Sequence, residues 1–99
     1  MSFINQFRPN YGSNQVVTPA AGSASITIPG QDTAVRLVNS GANICYVRIG
    51  NVADNATTAD LAVRAGSEVI VRKSRGDTHL AHISAAGTTL NVQTGLDGL

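Results

Sequence analysis

Short runs in which apolar and polar residues alternate, cut by glycine or proline at intervals of about ten residues, dominate this sequence and restrict it to β-strands. Ser25-Ile26-Thr27-Ile28 stops at Pro29-Gly30. Thr89-Leu90-Asn91-Val92-Gln93-Thr94 stops at Gly95. Each places its apolar side chains on one face at period two. Residues 33–39 and 43–49 flank Ser40-Gly41-Ala42, whose glycine suits a positive φ, and together they read as a hairpin. Further strands are expected over 58–63, 67–73 and 78–84, with a weaker one over 15–18. The only helix candidate, 53–62, carries β-branched Thr57 and Thr58 and no apolar stripe at helical spacing, which leaves room for one short turn. The expectation is an all-β domain, an antiparallel β-sandwich or jelly roll of seven or eight short strands with an extended N-terminal arm.

The arm comprises residues 1–14 and the sandwich residues 15–99. Within the arm, Pro9 and Gly12 oppose a helix, and Asn and Ser make a poor strand. Yet Phe3, Phe7 and Tyr11 supply three of the chain's aromatics, which number two Phe and two Tyr. Large rings on a polar arm point to docking, on its own domain or on another chain, with Phe3, Ile4, Phe7 and Tyr11 as the interface residues.

Composition narrows the function. At 99 residues the chain holds one domain. Seven Lys+Arg against six Asp+Glu leave a net charge of +1, without the basic field of a nucleic-acid binder. No apolar run approaches the ~20 residues that span a bilayer, and no basic-then-apolar leader opens the sequence. A soluble chain made in a reducing cytoplasm is expected, with neither membrane nor nucleic acid as a partner. The single cysteine, Cys45, forms no internal disulfide, and its phase with Val47 and Ile49 places it on the apolar face of its strand.

Motifs for chemistry are sparse. His79 and His82 have a spacing that serves a metal on a helix, but on a strand it sends the rings to opposite faces. No Gly-rich phosphate loop occurs, and no serine sits in a nucleophile elbow. No acid, base and nucleophile converge, so no catalytic residue, metal or cofactor is expected, and the chain is expected not to be an enzyme. Arg72, Lys73, Arg75 and Asp77 gather around an Arg-Gly-Asp tripeptide at a predicted hairpin tip. They form a charged loop that either caps its own strands or makes a local anionic contact, with nucleic acid or with an acidic patch on a protein. Ala21-Gly22-Ser23, Ala65-Gly66-Ser67 and Ala86-Gly87-Thr88 repeat a turn that leads into a strand, with no fixed period.

The stretches Val35-Arg36-Leu37-Val38-Asn39, Tyr46-Val47-Arg48-Ile49-Gly50, Ala56-Thr57-Thr58-Ala59-Asp60-Leu61-Ala62-Val63 and Ala65-Gly66-Ser67-Glu68-Val69 carry a likeness, as does Thr78-His79-Leu80-Ala81-His82-Ile83-Ser84 running on to Thr88. Over residues 33–95 the chain resembles small β-rich structural proteins of tailed bacteriophages, most of all head decoration, or cement, proteins. The resemblance implies a jelly roll or sandwich on the capsid exterior that clamps adjacent major capsid subunits and carries no catalytic residues. Its implied partners are the major capsid protein and further copies of itself, as a homodimer or homotrimer. Its implied location is the virion, after synthesis in the host cytoplasm. A tail, fibre or connector component is the alternative within the virion. A glycan or cell-surface binding module using residues 74–77 is the alternative outside it.

Overall fold

A computed structural model describes residues 7–96. Its strands are β1 (Arg8–Pro9), β2 (Gln15–Val17), β3 (Ala24–Thr27), β4 (Ala34–Asn39), β5 (Cys45–Gly50), β6 (Leu61–Val63), β7 (Glu68–Arg72), β8 (His79–Ile83) and β9 (Leu90–Leu96). The eight expected strands are present, and β1 adds a two-residue strand in the arm. The 53–62 stretch holds no helix.

The pairing is that of a rolled-up hairpin. β2 pairs with β9, β3 with β8, β4 with β7 and β5 with β6, all antiparallel. The chain therefore doubles back at the β5–β6 connection. Two further pairings, β4 with β9 and β5 with β8, roll the doubled chain into two sheets. The first sheet runs β9-β4-β7, with β1 and β2 end to end along the outer side of β9; the second runs β3-β8-β5-β6. This is an antiparallel β-sandwich of jelly-roll topology.

Two expected hairpins are corrected by this topology. Strands β4 and β5 lie in different sheets, so Ser40-Gly41-Ala42 is a corner between sheets. Gly41 serves it by close approach rather than by positive φ: a Cβ there would collide with Thr88 and the Thr89 backbone. Strands β7 and β8 also lie in different sheets, so the charged loop is a second crossover rather than a hairpin tip. Of the three repeated turns, Gly66 and Gly87 take positive φ (75° and 84°), whereas Gly22 does not.

The core between the sheets is aliphatic. Val35 and Leu37 from β4, Val47 from β5, Leu80 from β8, and Leu90 and Val92 from β9 meet there with Cys45 and Val63. Full burial of each large side chain contributes about 1.5–3 kcal/mol. Four polar residues share the inward phase: Asn39, His82, Ser84 and Thr94, all buried. Three of them are bonded. The Ser84 hydroxyl donates to the Ile44 carbonyl at 2.7 Å, and the Thr94 hydroxyl to Asp32 at 2.6 Å.

Asn39 is saturated at the β4–β5 corner by four oxygen and nitrogen partners, with Cys45 Sγ a further 3.8 Å neighbour of its Nδ2. Its Nδ2 donates to the carbonyls of Asn43 (2.8 Å) and Val63 (3.0 Å), and its Oδ1 accepts from Gly41 N (3.1 Å) and the Thr88 hydroxyl (2.7 Å).

His82 is the exception, because its buried Nδ1 has no partner among the described residues. Burial pushes its pKa below the ordinary value, which favours the neutral ring in the folded state. The unfolded chain then binds the extra proton first as pH falls. Stability is therefore fully present above the unfolded pKa of about 6.5 and is lost as pH drops from there toward the lowered folded value. Urea titrations at pH 7 and pH 5 should show this loss in the wild type and a smaller one in His82→Leu. An equal loss in both proteins would show that another group titrates.

Candidate interaction surface

The described part of the arm folds back on its own domain. The expected anchors Phe3 and Ile4 lie outside the described residues. Phe7 is half-buried against Gly95, and Arg8 and Pro9 pair with Leu96 and Gly95. Proline is tolerated there because nothing requires its missing N–H on the outermost strand. The glycine is required: a Cβ on Gly95 would collide with the Arg8 carbonyl and meet the Phe7 ring at 3.0 Å.

Between β1 and β2 the arm turns, and polar side chains clamp the turn. Asn10 N donates to the Thr94 carbonyl at 2.9 Å. The Asn10 side-chain amide donates to Asp32 Oδ2 at 3.0 Å, the same oxygen that accepts from Thr94. The Ser13 hydroxyl donates to the Asn10 carbonyl at 2.6 Å and accepts from Thr94 N at 3.2 Å. Gly12, at φ 88°, supplies the left-handed step that other residues adopt only with strain.

The clamp holds one aromatic out of the protein. Tyr11, at the apex of the turn, is 85% exposed; Val16 on β2 is 63% exposed and Leu96 on β9 39%. Along this edge β9 is covered but, among the described residues, β1 and β2 have no strand beyond them. Beside the edge lies an open cleft of about 620 Å³, lined by Arg8, Asn10, Gln31, Asp32, Arg75 and Leu96. The fold thus brings the arm and Arg75 of the charged loop, 67 positions apart in the chain (8 to 75), to one place.

The rest of the charged loop is placed differently. Lys73 is only 6% exposed, and its ammonium donates to the backbone carbonyls of Asp77 (2.8 Å), Gly30 (3.3 Å) and Ser74 (3.3 Å). Burial lowers its pKa, and Arg75 adds to that, while Asp77 and Asp32 oppose it. Lys73 therefore staples the crossover and offers nothing to a partner. Asp77 turns back to accept from Ser74 N at 3.1 Å, and Gly76 takes φ 94°. Arg72 and Arg75 remain exposed.

The candidate chemical groups are equally specific in their placing. In the β5–β8 register His82 lies opposite Val47, which faces the core, and His79 lies opposite Gly50, on the other face. His79 Nδ1 sits 2.9 Å from the Thr78 hydroxyl. Cys45 is buried, and burial raises its thiol pKa. Among the described residues, no three His, Cys, Asp or Glu are grouped to hold a metal.

Asp32 is the residue that sequence reading missed. It lies in a loop with no phase to read, and its partners Asn10 and Thr94 are 22 and 62 positions away.

No protein-family model and no curated protein matches the chain. Solved structures do. PirA superposes with a TM-score of 0.57 at 9% identity, over 86% of this chain and 95% of that one. Protein NMB1881 from Neisseria meningitidis gives 0.51 at 17% identity, over 89% of this chain and 83% of that one. A cupin-2 domain-containing protein from Shewanella frigidimarina gives 0.50 at 10% identity, over 90% and 78%. The last of these corrects the expectation that the chain is not an enzyme. A cupin fold is compatible with enzyme activity, and one fold hosts many chemistries, so missing sequence motifs do not exclude catalysis. At these identities the likeness establishes the fold: this chain is similar to cupin-type, double-stranded β-helix proteins in architecture.

Proposed function

We propose that this chain is a structural component of a tailed-bacteriophage virion, which decorates the capsid exterior and clamps adjacent major capsid subunits. The observation that carries the reading is the rigid presentation of Tyr11. An arm that served only to close its own sheet would bury its aromatics. Here Phe7 is packed, whereas Tyr11 is held in solvent by a turn bonded at Asn10 and Ser13. A preorganised aromatic that follows Asn10, a lining residue of the cleft that also holds Arg8, Arg75 and Leu96, fits a protein surface with an apolar pocket and an acidic rim. The resemblance of residues 33–95 to phage decoration proteins supports the same reading, and a jelly roll is an architecture that capsid proteins use.

Virions encoded by the genome that carries this chain provide the test. Quantitative mass spectrometry should find copies on the order of hundreds per particle, as repeated equivalent sites on a shell demand. Tyr11→Ala should weaken binding of the purified chain to undecorated heads by at least about tenfold. Copies on the order of a dozen would move the chain to the tail or connector, and its absence from virions would overturn the proposal.

A further inference from the structure

Among the described strands that have an open side, β7 is the longest. In the first sheet β4 covers one side of Glu68–Arg72, and among the described residues no strand lies on the other. The remaining edges are shorter, with two residues in β1, three in β2 and in β6, and four in β3. Free edges are ordinarily blunted by proline, a bulge or an inward-pointing charge. β1 carries Pro9, whereas β7 pairs with β4 without a break in register and holds Val69-Ile70-Val71 at its middle.

Hydrogen-bond parity fixes what this edge offers. Asn39 N donates to the Ser67 carbonyl at 3.0 Å, and Lys73 N donates to the Thr33 carbonyl at 2.9 Å. With Val35 opposite Val71 and Leu37 opposite Val69, the odd-numbered residues of β7 turn their backbone groups toward β4. The N–H and C=O groups of Glu68, Ile70 and Arg72 therefore point away from β4. Val69 and Val71 pack against the core, so the side chains of Glu68, Ile70 and Arg72 share the outer face of the sheet. All three are exposed, Ile70 to 39%, and Glu68 pairs there with Arg36.

The strand reads Glu-Val-Ile-Val-Arg, which is complementary to itself when reversed. Laid antiparallel on a second copy about a twofold axis at Ile70, it sets Glu68 of each copy opposite Arg72 of the other, with Ile70 opposite Ile70. These are the three positions whose backbone groups point outward, so one register satisfies the ladder and the charges together. A slip of two residues places Ile70 against a charge.

We propose that the protein dimerises through β7, joining the first sheets of two copies into one continuous sheet, with reciprocal Glu68–Arg72 pairs flanking the Ile70 contact. Such a contact uses the same patch on both copies and closes at two. β1 and β2 lie on the opposite side of that sheet, so the pairing does not use the Tyr11 turn. The inference goes beyond the capsid reading, since it concerns the purified chain alone.

Light scattering on the purified full chain at about 100 μM, where micromolar contacts are populated, should give a dimer. Glu68→Arg and, separately, Arg72→Glu should each raise the dissociation constant about tenfold, because the twofold sets like charges opposite each other at two places. An equimolar mixture of these two chains should return to near the wild-type constant as a heterodimer, since one chain then presents two guanidinium groups and the other two carboxylates. Under oxidation Ile70→Cys should link to itself, because hydrogen-bonded antiparallel partners lie ~5.5 Å apart at Cα, within disulfide reach. Glu68→Cys should not, because its two copies would lie four residues apart along the ladder, ~13 Å. A monomeric wild type, a mixture as weak as its components, or Glu68→Cys linking as readily as Ile70→Cys would overturn the proposal. Because no head is present, these outcomes leave the copy-number test of capsid decoration independent.

Discussion

Asn39→Ala should lower the unfolding free energy by about 3 kcal/mol, because it strands the buried Val63 carbonyl and three part-buried groups, and an unpaired buried group costs about 1–3 kcal/mol. The side chain joins the β4–β5 corner, the end of β6 and the β8–β9 connection through the Asn43, Val63, Gly41 and Thr88 bonds. Alanine leaves two carbonyls, an amide and a hydroxyl facing an apolar gap. A domain of this size has roughly 5–15 kcal/mol in total, so the variant should unfold at a much lower urea concentration, with an unchanged slope. Far-UV circular dichroism during urea titration measures it. A loss below about 1 kcal/mol would mean that water replaces the amide and that the corner is held by other contacts.

Gly95→Ala should release the arm. The added methyl occupies the space of the Arg8 carbonyl, so β1 cannot pair with β9 and Phe7 loses its seat. A stability loss of about 2 kcal/mol is expected from the lost pairing and ring burial. The Asn10 amide, bonded to the Thr94 carbonyl, should lose its protection from hydrogen exchange. Gly50→Ala is the control: a Cβ there meets nothing within 4 Å and its φ is not positive. If Asn10 stays protected in Gly95→Ala, β1 tolerates a shift that the geometry does not suggest. With the arm released, the head binding proposed for Tyr11 should weaken as well, since the turn that aims the ring is lost.

Strand positions were legible because alternation is a local signal. Leu90, Val92 and Cys45, Val47 announce their faces within a few residues. Strand partners were not legible at the corner, since Ser40-Gly41-Ala42 has the chemistry of a hairpin turn and of a corner alike. A finer sign was present in the sequence. Asn39, His82 and Thr94 each fall in the apolar phase of their strand, and a polar residue there is either bonded inside or costly. Reading phase against polarity would have marked all three as buried. Asp32 offered no such mark, because its role depends on Asn10 and Thr94 arriving from distant parts of the chain. The meeting of Arg8 with Arg75 in one cleft was hidden for the same reason.

The place of β9 within its sheet has a consequence for how the protein is made. The strand lies between β4 on one side and β1 with β2 on the other, and it spans Leu90–Leu96. While residues 90–96 are still inside the ribosome, β1, β2 and β4 have no shared neighbour, and the first sheet has no centre. Closure of this sheet waits for β9, the last of the described strands, as in other folds dominated by distant pairings. The turn that displays Tyr11 is bonded to Thr94, so only a chain synthesised past Thr94 presents it. Translation products that stop before β9 therefore lack this displayed turn.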